Sequence, residues 1–349
     1  MASAPVTGRA RLLVAVLLAL VVTACSAAPG AGQSGAPTPR STGSSAAGYR
    51  NPVYADDFPD PSLLHVGSTF YAFATQGDGR NIQQLTSSDL VHWTKRADAL
   101  PSLPGWAQGG ATWAPEVITV GGRYVMFYVE RDSARGVQCI GRATSSRPGG
   151  PYVDSSAQPF LCQPDLGGSI DPNPVRDPDG HLYLYWKNDG NCCGKKVQLW
   201  GQQLTPDAAR LVGRRVPLLS NTLGWQGNLV EAPEMFVHDH AHVLFYSAND
   251  YASANYDIGY ASCAGPLGPC QDRSPVPLVA SNEVAAGPGH CYPFALPDGS
   301  TWLLYHAWQP QAIGSTYPGR ELWLSPLTWK GAVPQPVTPT TQMPAAPRP

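Results

Sequence analysis

The stretch from Asp60 to Thr75, DPSLLHVGSTFYAFAT, decides the fold. It reads as an acid, a proline, a short apolar run, a glycine turn and a strand of alternating bulky residues, the wording of a β-hairpin. The same grammar returns in Asp171–Trp186 (DPNPVRDPDGHLYLYW) and Glu231–Ser247 (EAPEMFVHDHAHVLFYS). Two further copies, Ala114–Glu130 (APEVITVGGRYVMFYVE) and Tyr292–Ala307 (YPFALPDGSTWLLYHA), have no acid before the proline. The repeat prolines Pro61, Pro115, Pro172, Pro233 and Pro293 are spaced by 54, 57, 61 and 60 residues. Later phrases such as Leu85–Trp93, Gly141–Tyr152, Trp200–Asp207, Gly259–Cys270 and Leu322–Trp329 bring each unit to about four strands, the size of a propeller blade. A β-sandwich would also have short strands, but not one period near 58 with the same internal order. The expected fold is therefore all-β, a five-bladed β-propeller in a single domain. Its closure would gather Asp60, Asp171 and Glu231, read here as occupying one address in their repeats, around a common axis.

Working outward, Arg9 and Arg11 precede an apolar run, Leu12 to Val22, that is too short for a stop-transfer helix. Val22-Thr23-Ala24-Cys25 is similar to a bacterial lipobox, so residues 1–24 are expected to be a lipoprotein signal peptide and Cys25 the lipid-bearing residue. The alternative is an ordinary secretory signal; export follows from either. Residues 25–48, rich in Ser, Ala, Gly and Pro, have too little apolar bulk to offset the entropy of ordering and read as a flexible tether. The domain then spans 49–332, and a Pro/Thr-rich tail of similar character, 333–349, follows.

A net charge of −2 leaves no basic patch to neutralise phosphates, which excludes nucleic acid as a partner. Ten Trp and fifteen Tyr in a chain with only 14% charged residues suit stacking on neutral rings, although most such aromatics fill sheet cores. Beyond Cys25, seven cysteines remain, and export permits disulfides. Cys263 and Cys270 bracket a Gly-Pro turn, and Cys139 and Cys162 share the second repeat. Cys192, Cys193 and Cys291 leave either one thiol over or a bridge between neighbours. No zinc-ligand spacing occurs.

An isolated Asp-Pro pair is usually a turn or a cap. Carboxyls recurring in a repeat are different, because burying them together forces their proton affinities apart. Cleavage of a glycosidic bond needs such a pair, one ionised as base and one holding the proton for the leaving oxygen. At this point the phrases Asn51-Pro-Val, Asp57-Phe-Pro-Asp60-Pro-Ser, Trp113-Ala-Pro-Glu116, Ser169-Ile-Asp171-Pro and Val230-Glu231-Ala-Pro, in this order, resemble glycoside hydrolase family 43. Gly287-Pro-Gly-His290 and Gly319-Arg320-Glu-Leu followed by Pro-Leu-Thr-Trp329 fit as well, so the resemblance spans about residues 50–332.

The resemblance implies a five-bladed catalytic propeller and an inverting enzyme, with carboxyls roughly 6.5–9.5 Å apart. It implies arabinose- or xylose-containing polysaccharides as the partner, with terminal α-L-arabinofuranosyl linkages foremost, and β-xylosidase or endo-1,5-arabinanase activity as alternatives. By it, Asp60 is the general base, Glu231 the general acid, and Asp171 the residue that orients the acid and raises its pKa. Trp113 and Arg320 would contact the sugar. His290 would lie beneath the sugar pocket or reach a structural calcium through water; no cofactor is required, and no EF-hand-like ligand string supports the metal.

Glu116 and Glu234 both follow their repeat prolines directly and read as a structural feature, so Glu231 is preferred as the acid. Asp56, Asp57, Asp177 and Asp179 read as loop or turn residues. The glycine-rich segment from Lys187 to Gly194 is expected to rim the funnel. A monomer is expected, and a sugar-binding propeller without catalysis is the rival from another class.

Overall fold

A computed structural model describes residues 48–349. The signal peptide, Cys25 and all of the tether except Gly48 lie outside the described residues. Five antiparallel meanders follow one another along the chain. Blade one comprises Ser62–Val66, Thr69–Ala74, Gln83–Ser87 and Thr94–Lys95. Blade two comprises Trp113–Val120, Arg123–Arg131 and Gln138–Ser145. Blade three has Ile170–Arg176, Leu182–Lys187, Leu199–Leu204 and Leu211–Leu219. Blade four has Val230–His238, Ala241–Ala248, Asp257–Cys263 and Cys270–Asp272. Blade five has Ala286–Ala295, Thr301–Trp308 and Arg320–Leu327. Four strands per blade thus holds for three blades, while blades two and five have three.

The period-two pattern has a direct cause. Second strands are covered on both faces, and successive side chains go to opposite neighbours. In blade one, Phe70, Ala72 and Ala74 pack toward blade five, and Tyr71 and Phe73 toward blade two. In blade three, Leu182, Leu184 and Trp186 pack toward blade two, and Tyr183 and Tyr185 toward blade four. Each of the five interfaces between neighbouring blades has its own apolar cluster of this kind. The hairpin at Gly121-Gly122 has both residues at positive φ, the twist a two-residue turn requires.

Blade five is completed by the segment before blade one. Val53 N–H donates to Leu322 O (2.8 Å) and Phe58 N–H to Arg320 O (2.8 Å), while the Asn51 amide bonds Leu324 through both its oxygen and its nitrogen. Tyr49–Arg50 pairs with Gln342–Met343. The Pro/Thr-rich stretch after 333 therefore does not resemble a loose tether. Val337 is buried against Leu278 and donates its N–H to Leu278 O, and Met343 packs on the cluster between blades five and one. Proline-rich chain can dock where its few apolar side chains find a groove.

Disulfides join Cys139 to Cys162, Cys263 to Cys270, and the neighbours Cys192 and Cys193; Cys291 is a buried thiol.

Candidate active site

In every blade the inner strand breaks step with its partner at an equivalent place; blade five does so a second time, at Gly287-Pro288. Two residues, Ala114-Pro115, Asp171-Pro172, Ala232-Pro233 and His290-Cys291, each face a single residue of the second strand. Asp60-Pro61 does the same in blade one, between the Ser62–Phe73 pair and the Thr75 N–H bond to Pro59 O. These are β-bulges, where a proline needs no ladder partner, which explains the recurrent proline. The first bulge residue has positive φ throughout: Asp60 55°, Ala114 43°, Asp171 55°, Ala232 50° and His290 44°. Such a backbone costs about 1–3 kcal/mol per residue away from glycine and is found where a site must aim side chains.

The bulges correct the repeat alignment. Asp60 and Asp171 share an address with His290, not with Glu231. Glu231 lies one residue earlier, paired with Ser247, at the level of Trp113. In blade five Pro293 is not the repeat proline; Cys291 stands in that place, and the Tyr-Pro pair that suggested the alignment lies two residues further down the strand. The three acids therefore approach the axis from two adjacent levels.

All six residues singled out from sequence, Asp60, Trp113, Asp171, Glu231, His290 and Arg320, line one cavity of about 330 Å³. Asp60 Oδ1 accepts from Arg320 Nη1 at 2.8 Å and Oδ2 from Thr75 Oγ1 at 2.6 Å, with His290 Nδ1 and His306 Nδ1 each 3.5 Å from Oδ1. Burial pushes the Asp60 carboxyl up, but Arg320, His290 and Thr75 overcome it and hold the group below the usual carboxylate range. His306 is driven well below its ordinary value, chiefly by burial, so it is a neutral ring whose Nδ1 accepts the Asp60 N–H at 3.1 Å.

Glu231 is held differently. Its Oε2 accepts from Lys187 Nζ at 2.7 Å and its Oε1 from Tyr256 OH at 2.8 Å. Tyr256 reaches it by lying against Gly289, where any Cβ would collide with the phenol ring; this is the physical need behind one glycine of Gly287-Pro-Gly-His290. Asp171 Oδ2 accepts the Ala232 N–H at 2.9 Å, which ties it to the backbone beside Glu231. Burial first, then the Glu231 carboxyl, push Asp171 up from the ordinary aspartate value.

Arg320 does more than close a strand. Its guanidinium also lies over the rings of Tyr251 (4.9 Å) and Trp308 (6.0 Å), and the Arg320 backbone N–H donates to Asp57 Oδ1 at 2.9 Å. Asp57, read as a loop residue, is thus part of that anchorage. Asn191 and Cys192 of the 187–194 segment line the cavity, as expected of a rim. A calcium ion takes about six to eight oxygen ligands. Among the described residues no three His, Cys, Asp or Glu side chains converge on such a site. His290 offers one ring nitrogen facing a carboxylate already held by Arg320, a donor set that does not fit a metal bound by side chains.

Four partners of the acids escaped the sequence reading: Thr75, Lys187, His306 and Tyr256. Three of them, Thr75, Lys187 and His306, lie one place after the second-strand residue that faces the bulge. The five blades have Thr75, Val129, Lys187, Ser247 and His306 there, all buried. Four polar residues at one position of otherwise apolar strands was a readable signal.

A second polar layer lies below the bulges. Asn173 Nδ2 donates to Glu116 Oε2 (3.0 Å) and Glu234 Oε2 (2.8 Å), and its Oδ1 accepts the Met235 N–H. A larger hollow, about 720 Å³, opens from here toward the hairpin end of the axis, but it touches none of Asp60, Asp171 and Glu231. Burial raises both glutamates, and their mutual contact keeps a proton between them. The folded chain therefore holds a proton that the unfolded chain releases. The contribution of the pair is complete below the ordinary glutamate value of 4.5 and is lost as pH rises through the raised folded value. We expect Glu116→Gln to narrow the drop in Tm between about pH 5 and about pH 8 by at least about 2 °C. An unchanged drop in thermal melts of the two proteins would refute the shared proton.

Carboxyls in contrasting charge environments within one cavity are the equipment for breaking a glycosidic bond. A family model described as glycosyl hydrolases family 43 matches residues 49–333, and the chain belongs to that family. It is a glycosidase acting on O-glycosyl bonds. A β-D-galactofuranosidase of Aspergillus niger is 24% identical over 276 residues, covering 73% of this chain and 75% of its own. A non-reducing-end α-L-arabinofuranosidase of Bacteroides ovatus is 26% identical over 304 residues, 80% of this chain; the match spans 52% of that relative's length. Among solved structures, a thermostable family-43 glycoside hydrolase superposes with a TM-score of 0.78 at 30% identity, over 86% of this chain and 99% of its own.

Proposed function

We propose that the protein is an inverting glycosidase that releases terminal pentose units, foremost α-L-arabinofuranosyl, from polysaccharides such as arabinan or arabinoxylan. The observation that carries this reading is that Asp60 and Glu231 share one cavity, each held by its own cation, Arg320 and Lys187 respectively. Asp60, kept ionised, takes a proton from water. The water oxygen bonds to the anomeric carbon from the face opposite the leaving group, and the bond to the glycosidic oxygen breaks as Glu231 gives that oxygen its proton. Asp171 orients Glu231 through the Ala232 N–H. Trp113 offers the sugar a stacking face, and His290 borders it.

A cavity of about 330 Å³ is at the small end of ligand sites, about 300–1,000 Å³, which favours removal of single units over cleavage within a chain. The names of two relatives specify furanosides, which favours a five-membered ring. The lipobox-like Val22-Thr23-Ala24-Cys25 supports export and a lipid tether at the outer face of the membrane.

The test is hydrolysis by the purified protein of aryl α-L-arabinofuranoside, aryl β-D-xyloside, aryl β-D-galactofuranoside and linear arabinan. Turnover is expected on the arabinofuranoside, with proton NMR showing the β-anomer first. Faster xyloside or internal arabinan cleavage would reassign the substrate. A first-formed α-anomer would overturn inversion. Sugar binding without turnover of any substrate would make the protein a lectin-like propeller.

A further inference from the structure

Lys187 holds Glu231 in the proposed site, and it is the most deeply buried charge near it. Its side chain is 0% exposed, at the last position of a strand, Leu182–Lys187, that is otherwise apolar. An ammonium so placed is expensive to bury unless anions face it. Three carboxyls do: Glu231 at 2.7 Å, Asp189 at 4.0 Å, and Asp171 from the neighbouring bulge. Burial alone would strip the proton from this lysine, but the three carboxyls outweigh it and keep the ammonium charged. Glu231 is faced otherwise by the Tyr256 hydroxyl, and across the cavity by Asp60 with Arg320 and His290.

Position in the fold gives the lysine its meaning. Thr75, Ser247 and His306, at the equivalent place in other blades, each bond a group at the bulge level: the Asp60 carboxylate, the His290 N–H and the Asp60 N–H. The fifth, Val129, is in blade two, whose bulge carries only Ala114. Lys187 is the one cation of this ring, and it serves the next blade rather than its own.

We propose that Lys187 is a positioning residue acting through Glu231: it fixes Oε2 and is the standing counter-charge for the carboxylate left when the proton passes to the glycosidic oxygen. This rests on Glu231 being the acid. A cation at this distance favours the charged form of the carboxylate it faces, so its removal disfavours the carboxylate that proton transfer leaves.

The experiment compares Lys187→Met with the unaltered protein on two substrates, a 2,4-dinitrophenyl glycoside and an arabino-oligosaccharide, across pH. The expected result is an alkaline limb of kcat/KM displaced upward by about 1–3 pH units. Turnover of the oligosaccharide should fall by about 10–100-fold, with that of the dinitrophenyl glycoside much less affected. Lys187→Gln, which keeps a hydrogen bond without charge, should displace the limb likewise if the methionine variant fails to fold. Lys187→Arg should leave it in place. An unmoved alkaline limb, with both substrates slowed equally, would overturn the proposal and leave the lysine a structural role. Glu231→Gln separates the two readings. If it retains oligosaccharide turnover, the acid assignment itself falls; if it loses turnover while Lys187→Met leaves the limb unmoved, only the inference about Lys187 falls.

Discussion

Asp60→Asn should lower kcat/KM on aryl and natural glycosides alike by about 10³–10⁴-fold, the upper part of what a positioned general base contributes. The loss should not depend on the leaving group, because activating water is needed whichever bond breaks. Asparagine keeps the shape and the contacts to Thr75 and Arg320, so a normal melting curve should accompany the loss. The unaltered protein should stay active on the acid side of the ordinary aspartate value of 3.8, since Arg320, His290 and Thr75 keep Asp60 ionised there. The same shift stabilises the fold above the unfolded value, a contribution lost as pH falls through the depressed folded value. Steady-state rates within about tenfold of the unaltered protein would remove Asp60 from the role of base.

Glu231→Gln should show the opposite selectivity. Turnover of an oligosaccharide, whose leaving alkoxide must be protonated, is expected to fall by about 10²–10⁴-fold, and that of a dinitrophenyl glycoside only slightly. The alkaline limb should flatten in the same measurements, because an amide has no proton to lose in that range. Glu234→Gln is the comparison. Its carboxyl is buried in the layer below, bonded to Asn173 and Glu116, with no access to the cavity that holds Asp60. If Glu234→Gln lost oligosaccharide turnover and Glu231→Gln did not, the proton donor would be wrongly assigned.

The blades were legible because second strands are buried on both faces, so LYLYW and VMFYV had to be written in bulky apolar residues whatever else evolved. Asp60, Asp171 and Glu231 were legible as acids beside prolines, since the prolines mark the bulges that aim them. The one-residue offset of Glu231 was not. A bulge is a relation between two strands, and one strand's letters do not say which partner residue is skipped. Lys187 was hidden for a related reason: it works on an acid in the next blade, a contact set by closure of the ring. His306 was hidden likewise, since its Nδ1 accepts the Asp60 N–H across the junction between blades five and one. The docking of the tail after 333 was not legible, because composition alone cannot tell a docked proline-rich segment from a loose one.

The clasp that joins residues 49–58 to the fifth blade has a temporal consequence. Asp60 follows that clasp by two residues, and its guanidinium partner, Arg320, begins the strand the clasp binds. A chain emerging from the ribosome presents Asp60 before any blade is made and Arg320 only when the last strand of the fifth blade is reached. Until the fifth blade is made and the ends meet, the carboxylate lacks its partner. The pair that poises Asp60 thus forms only in a chain whose synthesis has run to the last blade.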